Sequence, residues 1–384
     1  MPMEFDKLLV TGVERGASDL HLKANAPVIL RIHGRLVPQG DLGVITAEDM
    51  DAIAHRCLTE RMYSQLMDGR EVDSAYAVPN FGRFRVNMFL ALGSVRAVLR
   101  SIPSKKPKFE ELGLPEVLEQ LSMERRGLLL VTGITGSGKS TTLASMIDHV
   151  NRLQSRHVIT IEDPIEYLHQ DEVCVVTQRE IGVDCQTFAA GLRGALRQDP
   201  DVILVGEMRD LETIEIAILA AETGHLVMST LHTLDATETI TRVISAFPEH
   251  ARTQARLILA NIIKGIVSQR LVPRADGRGM VPAVEVMVST GLIKECIMMP
   301  ERTHEIRDAI ARGYTTYGMQ TFDQSLMALW RENLISFEEA LAQSTNPDDF
   351  ALKARGISST SDSRWEDFDK DGEASEEPIK VDRF

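Results

Sequence analysis

Gly133-Ile134-Thr135-Gly136-Ser137-Gly138-Lys139-Ser140 sets four residues between Gly133 and Gly138 and follows them with Lys and Ser. That is the spacing of a phosphate-binding loop, and its flanks decide whether it is one. Leu128-Leu129-Leu130-Val131 before it is an apolar run short enough for a buried strand, and Thr141 to Val150 after it reads as a helix. Strand, glycine-rich loop and helix in that order predict an open α/β sheet with a nucleotide at the head of the helix. Gly133, Gly136 and Gly138 let successive backbone N–H groups turn inward with no Cβ in the way. Lys139 is expected to reach the β- and γ-phosphates and the Ser140 hydroxyl to bind Mg²⁺, with Ile134, Thr135, Ser137 and Thr141 completing the cradle. By itself the loop predicts ATP or GTP without choosing between them.

At 384 residues the chain exceeds one typical core, so two domains with appendages are expected. Its 43% hydrophobic and 26% charged residues suit a soluble globular protein. A net charge of −14 argues against a mainly electrostatic hold on DNA or RNA. Cys57, Cys174, Cys185 and Cys296 form no C-x-x-C pair and read as reduced thiols in a cytosolic protein. No apolar run reaches the ~18 residues of a membrane helix, and Met1 to Val10 carries Glu4 and Asp6 where a signal peptide would be basic. A cytoplasmic protein that touches a membrane only through partners is the expectation.

Ahead of the loop, a short helix from Glu4 to Arg15 ends at Gly16, and residues 18–22 and 28–37 alternate like strands with Gly34 at a turn. Thr46 to Asp49 has the pattern of a capping box opening a helix toward Met67. In Arg83 to Met88, Phe84, Val86 and Met88 take one face and Arg83, Arg85 and Asn87 the other; Val95 to Arg100 sets Arg96 and Arg100 opposite Val95, Ala97 and Leu99. Two strands sharing an arginine-bearing face are either a solvated surface or a source of arginine fingers. Residues 101–107, with two prolines and two lysines, form a break between domains.

Beyond the loop, strands alternate with helices, and acids and histidines gather at strand ends. Val158 to Ile161 leads into Glu162-Asp163-Pro164-Ile165-Glu166, and Asp201 to Val205 into Gly206-Glu207. Leu226 to Thr230 has His225 at its start and His232 just past its end. Open α/β sheets bind ligands outside the carboxyl ends of their strands, so each of these positions is a candidate. Taken singly, a carboxylate there is more often a helix cap and a histidine more often a satisfied polar group; it is the set of three strand ends following a phosphate loop in one sheet that is specific. Thr321-Phe-Asp-Gln324, Ser336-Phe-Glu-Glu339 and Asn346-Pro347 open carboxy-terminal helices, the last closed by Gly356. From Ile357 to Phe384 nine Asp or Glu face four Lys or Arg, a net −5, which predicts a disordered tail.

Ala17-Ser18-Asp19-Leu20-His21-Leu22, Gly133 to Thr141, Ile161-Glu162-Asp163-Pro164-Ile165-Glu166-Tyr167, Gly206-Glu207-Met208-Arg209-Asp210 and Ser229-Thr230-Leu231-His232-Thr233 together resemble the type IV pilus retraction ATPases, the PilT and PilU family, across roughly residues 3–355. The resemblance implies an α/β protein: a PAS-like amino-terminal domain (1–100), a linker (101–112), a RecA-like P-loop ATPase core (113–290), a helical region (291–356) and the acidic tail (357–384). It implies a homo-hexameric ring that uses ATP and Mg²⁺ to withdraw pilin subunits. Its partners would be a paralogous retraction ATPase and the inner-membrane platform protein of the pilus machine, with no nucleic acid and no membrane insertion.

Residue by residue, Lys139 and Ser140 match the phosphate and Mg²⁺ ligands and Glu166 the general base. Glu207 matches the Walker B glutamate, which holds Mg²⁺ indirectly or orients water. His225 and His232 match the residues that sense nucleotide or couple it to the neighbouring domain. Arg85, Arg96 and Arg100 match arginines that the family supplies to a nucleotide, often across a subunit boundary. One stretch departs: where PilT has Ala-Ile-Arg-Asn-Leu-Ile-Arg-Glu, needed for retraction, this chain reads Gly291-Leu-Ile-Lys-Glu-Cys-Ile-Met298. Together with Val176 to Glu180, Met319 to Gln324 and the acidic extension, this leans toward PilU, an auxiliary motor. The primary motor, an assembly or type II secretion ATPase, and a ring scaffold with little turnover stand as alternatives. A nucleic-acid motor is disfavoured by charge and by the lack of a base-stacking aromatic set.

Overall fold

The computed structural model describes residues 4–32, 34–79, 81–102 and 108–357. Two compact units emerge: Met1–Lys106 with Ile161–Gln170 and Thr177–Gly191, and Pro107–Thr160 with Asp171–Val176 and Leu192–Phe384. The carboxy-terminal helices, expected as a region of their own, fall within the second unit. Residues 103–107 of the expected linker and residues 358–384 of the expected disordered tail lie outside the described residues. Among the described residues no helix is long and apolar enough to cross a membrane.

The first sheet runs β1 (Ala17–Lys23), β2 (Ala26–Ile32), β3 (Arg35–Ile45), β4 (Val72–Val78), β5 (Gly82–Ala91) and β6 (Ser94–Ile102), in the order β3-β2-β1-β6-β5-β4. All its neighbours are antiparallel. Period-two alternation sends Leu20, Leu22, Val28, Leu30, Phe84, Val86, Met88 and Leu99 into one core with Phe5, Leu9, Met50, Ile53 and Leu66 of the helices. The opposite face carries the arginines, because Arg85 sits across from Arg100, Arg96 from Phe89 and Lys23, and Arg100 from Asp19.

The single helix expected from Thr46 to Met67 is two. Thr46 and Asp49 form the capping box of Ala47–Cys57, and then Leu58 is extended and the Thr59 hydroxyl accepts the Met62 N–H to start Glu60–Met67. A second cap within reach of the backbone ends one helix and opens the next, a signal that hydrophobic spacing does not carry.

The second sheet orders β7 (Gly127–Thr132), β8 (His157–Glu162), β9 (Val175–Glu180), β10 (Val202–Val205), β11 (Leu226–Leu231), β12 (Ile263–Pro273) and β13 (Met280–Val288) as β13-β12-β7-β11-β10-β8-β9. The central pairs are parallel: β10 with β11, β11 with β7, and β7 with β12. Every residue of β7, β10 and β11 is buried, as a parallel sheet covered on both faces requires. Helices Phe322–Arg331, Phe337–Gln343 and Pro347–Ala354 pack a further core, with Phe322, Leu326, Met327 and Phe350 against Val272 and Ala283. The PAS-like and RecA-like bodies implied by the resemblance are these two sheets with their helices.

The two-sided reading of β5 has a direct consequence. Phe84 is fully buried and Arg85 is exposed on the same strand. Phe84→Ala should cost about 3–5 kcal/mol in chemical denaturation and Arg85→Ala less than about 1 kcal/mol; equal losses would contradict the assignment of faces.

Candidate active site

Gly133 has φ +142°, and a Cβ there would lie 2.4 Å from the Gln269 carbonyl oxygen and 2.5 Å from Ser137 Oγ. Gly138, at φ +93°, is the residue from which helix Lys139–Leu153 departs. Only glycine takes these two positions without strain, so the backbone folds into a cradle at a helix N-terminus. Lys139, nearly buried, donates from Nζ to the carbonyl oxygens of Gly133 at 2.8 Å and Ile134 at 2.9 Å, bridging the loop with its own ammonium. Ile134, Thr135 and Gly136 are exposed at its crest, and Ser140 and Thr141 are half-buried at the helix start. The buried Ser137 hydroxyl has no hydrogen-bond partner among the described residues. A cradle without Cβ atoms, a helix N-terminus, a lysine and an orphaned hydroxyl fit a triphosphate. Mg²⁺ fits the Ser140 hydroxyl, because this ion keeps most of its waters and takes few protein ligands.

At the carboxyl end of β10, Glu207 accepts from Arg209 Nε at 2.7 Å and meets His232 Nε2 at 3.1 Å. His232 follows the carboxyl end of β11, the neighbouring parallel strand. Two hydroxyls clasp these strand ends: Ser229 Oγ donates to the Val205 carbonyl at 2.7 Å and Thr230 Oγ1 to the Gly206 carbonyl at 2.6 Å. Glu207 and His232 are thereby held in register by the sheet itself.

His225 is not brought to the loop. It precedes β11 at the opposite edge of the sheet, where its carbonyl accepts the Gly127 N–H at the start of β7 and its Nδ1 lies 2.9 Å from the Ala220 carbonyl. Six residues of strand, about 20 Å, separate that edge from the one where the loop begins.

In the first unit, Glu166 is exposed on the loop after β8. Two residues of β9 shape that loop. The Gln178 side chain donates to the Tyr167 carbonyl at 2.9 Å and to Glu162 Oε1 at 3.2 Å, and accepts the His169 N–H at 2.8 Å. Glu180 Oε2 accepts from Arg83 Nη2 at 2.8 Å and from the Ile165 N–H, one residue before Glu166, at 3.3 Å. Burial pushes the Glu180 carboxyl up, and Arg83 works against that shift. Gln178 and Glu180 carry no site signal in the sequence, since Val175 to Glu180 shows no alternation, and Arg83 stands there only as one of the arginines on the outer face of β5.

Of the arginines, Arg100 Nε bonds Asp19 Oδ1 at 2.8 Å and Arg85 Nε lies 3.5 Å from Asp73 Oδ1. Burial raises the Asp19 carboxyl, but hydrogen bonds from Arg100 and Ser18 outweigh it and hold the group below its usual range. Arg96 has no ion pair among the described residues. The stretch 291–298 is a helix, capped by the Thr290 hydroxyl; Ile293, Cys296 and Ile297 face inward and Leu292 and Glu295 outward.

The family model for type II/IV secretion system proteins matches residues 5–333. PilT of Pseudomonas aeruginosa, a type IV pilus retraction ATPase, is 42% identical over 348 residues, covering 91% of this chain and all of the relative. PilU of the same organism, a type IV pilus ATPase, is 40% identical over 350 residues, covering 91% of each chain. A crystal structure of the pilus retraction motor PilT with bound ADP superimposes with a TM-score of 0.82 at 45% identity, covering 90% of this chain and 98% of that one. On this sequence, fold and loop, the chain belongs to the type II/IV secretion system proteins, among the pilus retraction ATPases.

Proposed function

We propose that this protein is a Mg²⁺-dependent ATPase that works in type IV pilus retraction as a homo-hexameric ring, in the auxiliary role of PilU. The observation that carries the ATPase reading is the cradle: Gly133 and Gly138 in conformations open to glycine, Lys139 across the loop, and a helix N-terminus behind it. With ATP bound, Lys139 exchanges its two carbonyl partners for phosphate oxygens. Bound Mg²⁺, held by Ser140 and by Glu207 through water, would neutralise charge on the β- and γ-phosphates. Glu166 takes a proton from water as the water oxygen attacks the γ-phosphorus, the bond to the bridging oxygen breaks, and ADP and phosphate leave. Arg85, Arg96 and Arg100 are supplied to the nucleotide of a neighbouring subunit; Arg96, with no ion pair among the described residues, needs none broken.

His232 reads the nucleotide through Glu207 at 3.1 Å. His225 takes a structural part in this scheme, tying the start of β11 to the turn before it. The auxiliary role is supported by the helix Gly291–Met298, whose outward side presents Leu292 and Glu295 and no arginine. The ring works at the cytoplasmic side of the inner membrane, held there by the pilus platform protein.

Lys139→Ala should lower ATP turnover of the purified ring at least about a hundredfold, and phosphate release at the parental rate would refute the ATP site. Glu166→Gln should bind ATP as the parent does and hydrolyse it at least about a hundredfold more slowly; loss of binding would give Glu166 a structural task instead. Deleting the gene with and without the other retraction ATPase, scored by pilus retraction, tests the auxiliary role. Retraction by this protein alone would make it a primary motor.

A further inference from the structure

Glu285 lies in the middle of β13, opposite Ser268 of β12, and its side chain is buried. Its Oε1 accepts the backbone N–H of Ala236 at 2.9 Å, the first residue of helix Ala236–Ser245. The stretch between His232 and Ala236 is therefore fixed at both ends. One end is His232 on Glu207, and the other is Ala236 on Glu285. Between them, Thr233 Oγ1 pairs with Thr239 Oγ1 at 2.7 Å and the Leu234 N–H reaches Glu238 at 2.8 Å, so the segment moves with its helix. Beyond Glu285, β13 runs three residues further to Val288, and Thr290 then caps helix Gly291–Met298. Nine register pairs fasten β13 to β12, which makes it a stiff connection.

We propose that Glu285 is a positioning residue that latches the His232 loop to β13 and carries the nucleotide-dependent state of that loop to helix Gly291–Met298. The proposal rests on reading Glu207 and His232 as the pair that senses the nucleotide. Charged groups face the latch from three sides: Asp235 from the loop, Arg270 from β12 and Arg307 from helix Ile306–Arg312. Both arginines are committed elsewhere, Arg270 to the Gln343 carbonyl and the Phe322 ring and Arg307 to Asp323. Burial raises the carboxyl to about 7, the Ala236 N–H opposes this and Asp235 adds to it. The group thus changes charge near neutrality, and its ionised form makes the stronger, charge-assisted bond to Ala236 at a helix N-terminus.

The sign of the linked effect on stability is fixed. A carboxyl raised in the fold costs nothing below its unfolded value, so its penalty grows as pH climbs from about 4.5 to about 7 and is complete above that. Glu285→Ala orphans the Ala236 N–H and should lower kcat about tenfold while KM for ATP moves less than about threefold, since the phosphate loop is untouched. Glu285→Gln keeps the shape and an acceptor, so it should stay within about twofold of the parent at about pH 6. It should also lose the parent's fall in unfolding stability between about pH 4.5 and about pH 7, and with it the pH dependence of hydrogen-exchange protection of residues 234–237 over the same range.

If the alanine variant does not fold, the glutamine variant carries the test. A fall in stability between about pH 4.5 and about pH 7 that is undiminished in Glu285→Gln, or parental kcat in Glu285→Ala, overturns the latch. His232→Ala separates the two claims. Its parental turnover would sink the sensing pair itself, whereas reduced turnover there with a parental Glu285→Ala removes only the latch.

Discussion

Parallel pairing of β7 with β11, and of β11 with β10, is the constraint on which the second unit depends. Leu231 stands opposite Thr132 and Ser229 opposite Val205, so the strands end at one edge. From that edge leave the phosphate loop after Thr132, Glu207 after Val205 and His232 after Leu231. The strands are buried throughout, and a shift of one strand along its neighbour would break the clasp of Ser229 and Thr230 on the next strand's carbonyls. A chemical arrangement is thus inherited from backbone register, with apolar burial supplying the energy that holds it.

The same geometry divides the two histidines. His232 stands at the working edge with its ring on Glu207; His225 stands at the other, its ring on the Ala220 carbonyl. In the first unit the loop bearing Glu166 is shaped by side chains of β9, chiefly the three bonds of Gln178, so the backbone next to an exposed carboxylate is held by an amide on a strand. In the first sheet, alternation sends the large apolar side chains to the helices and leaves Arg85, Arg96 and Arg100 together on the other side.

Much of this was legible because short-range rules carried it. The glycine spacing located the loop, alternation in residues 83–88 and 95–100 assigned the faces, and Thr321 with Gln324 marked a helix start that forms a capping box. Features set by distant partners were not legible. Nothing in the spacing of Glu180 reveals Arg83 ninety-seven residues away, and Glu285 looks like one charge in an apolar run until Ala236 is found against it. The β12–β13 hairpin is not legible because runs such as Ile263 to Val272 suit a buried helix segment as well as a strand. His225 resembles a site residue by motif, but a strand has two ends, and only the pairing shows that His225 stands at the end away from the phosphate loop.

A double-mutant cycle on ATP turnover with Glu207→Gln, His232→Ala and the double variant tests the shared working edge most directly. If the two groups act as one unit through their 3.1 Å contact, the double variant should turn over no more slowly than the worse single variant, with a coupling of about 1–3 kcal/mol. Losses that simply add would mean that the two side chains work independently, and would contradict the account.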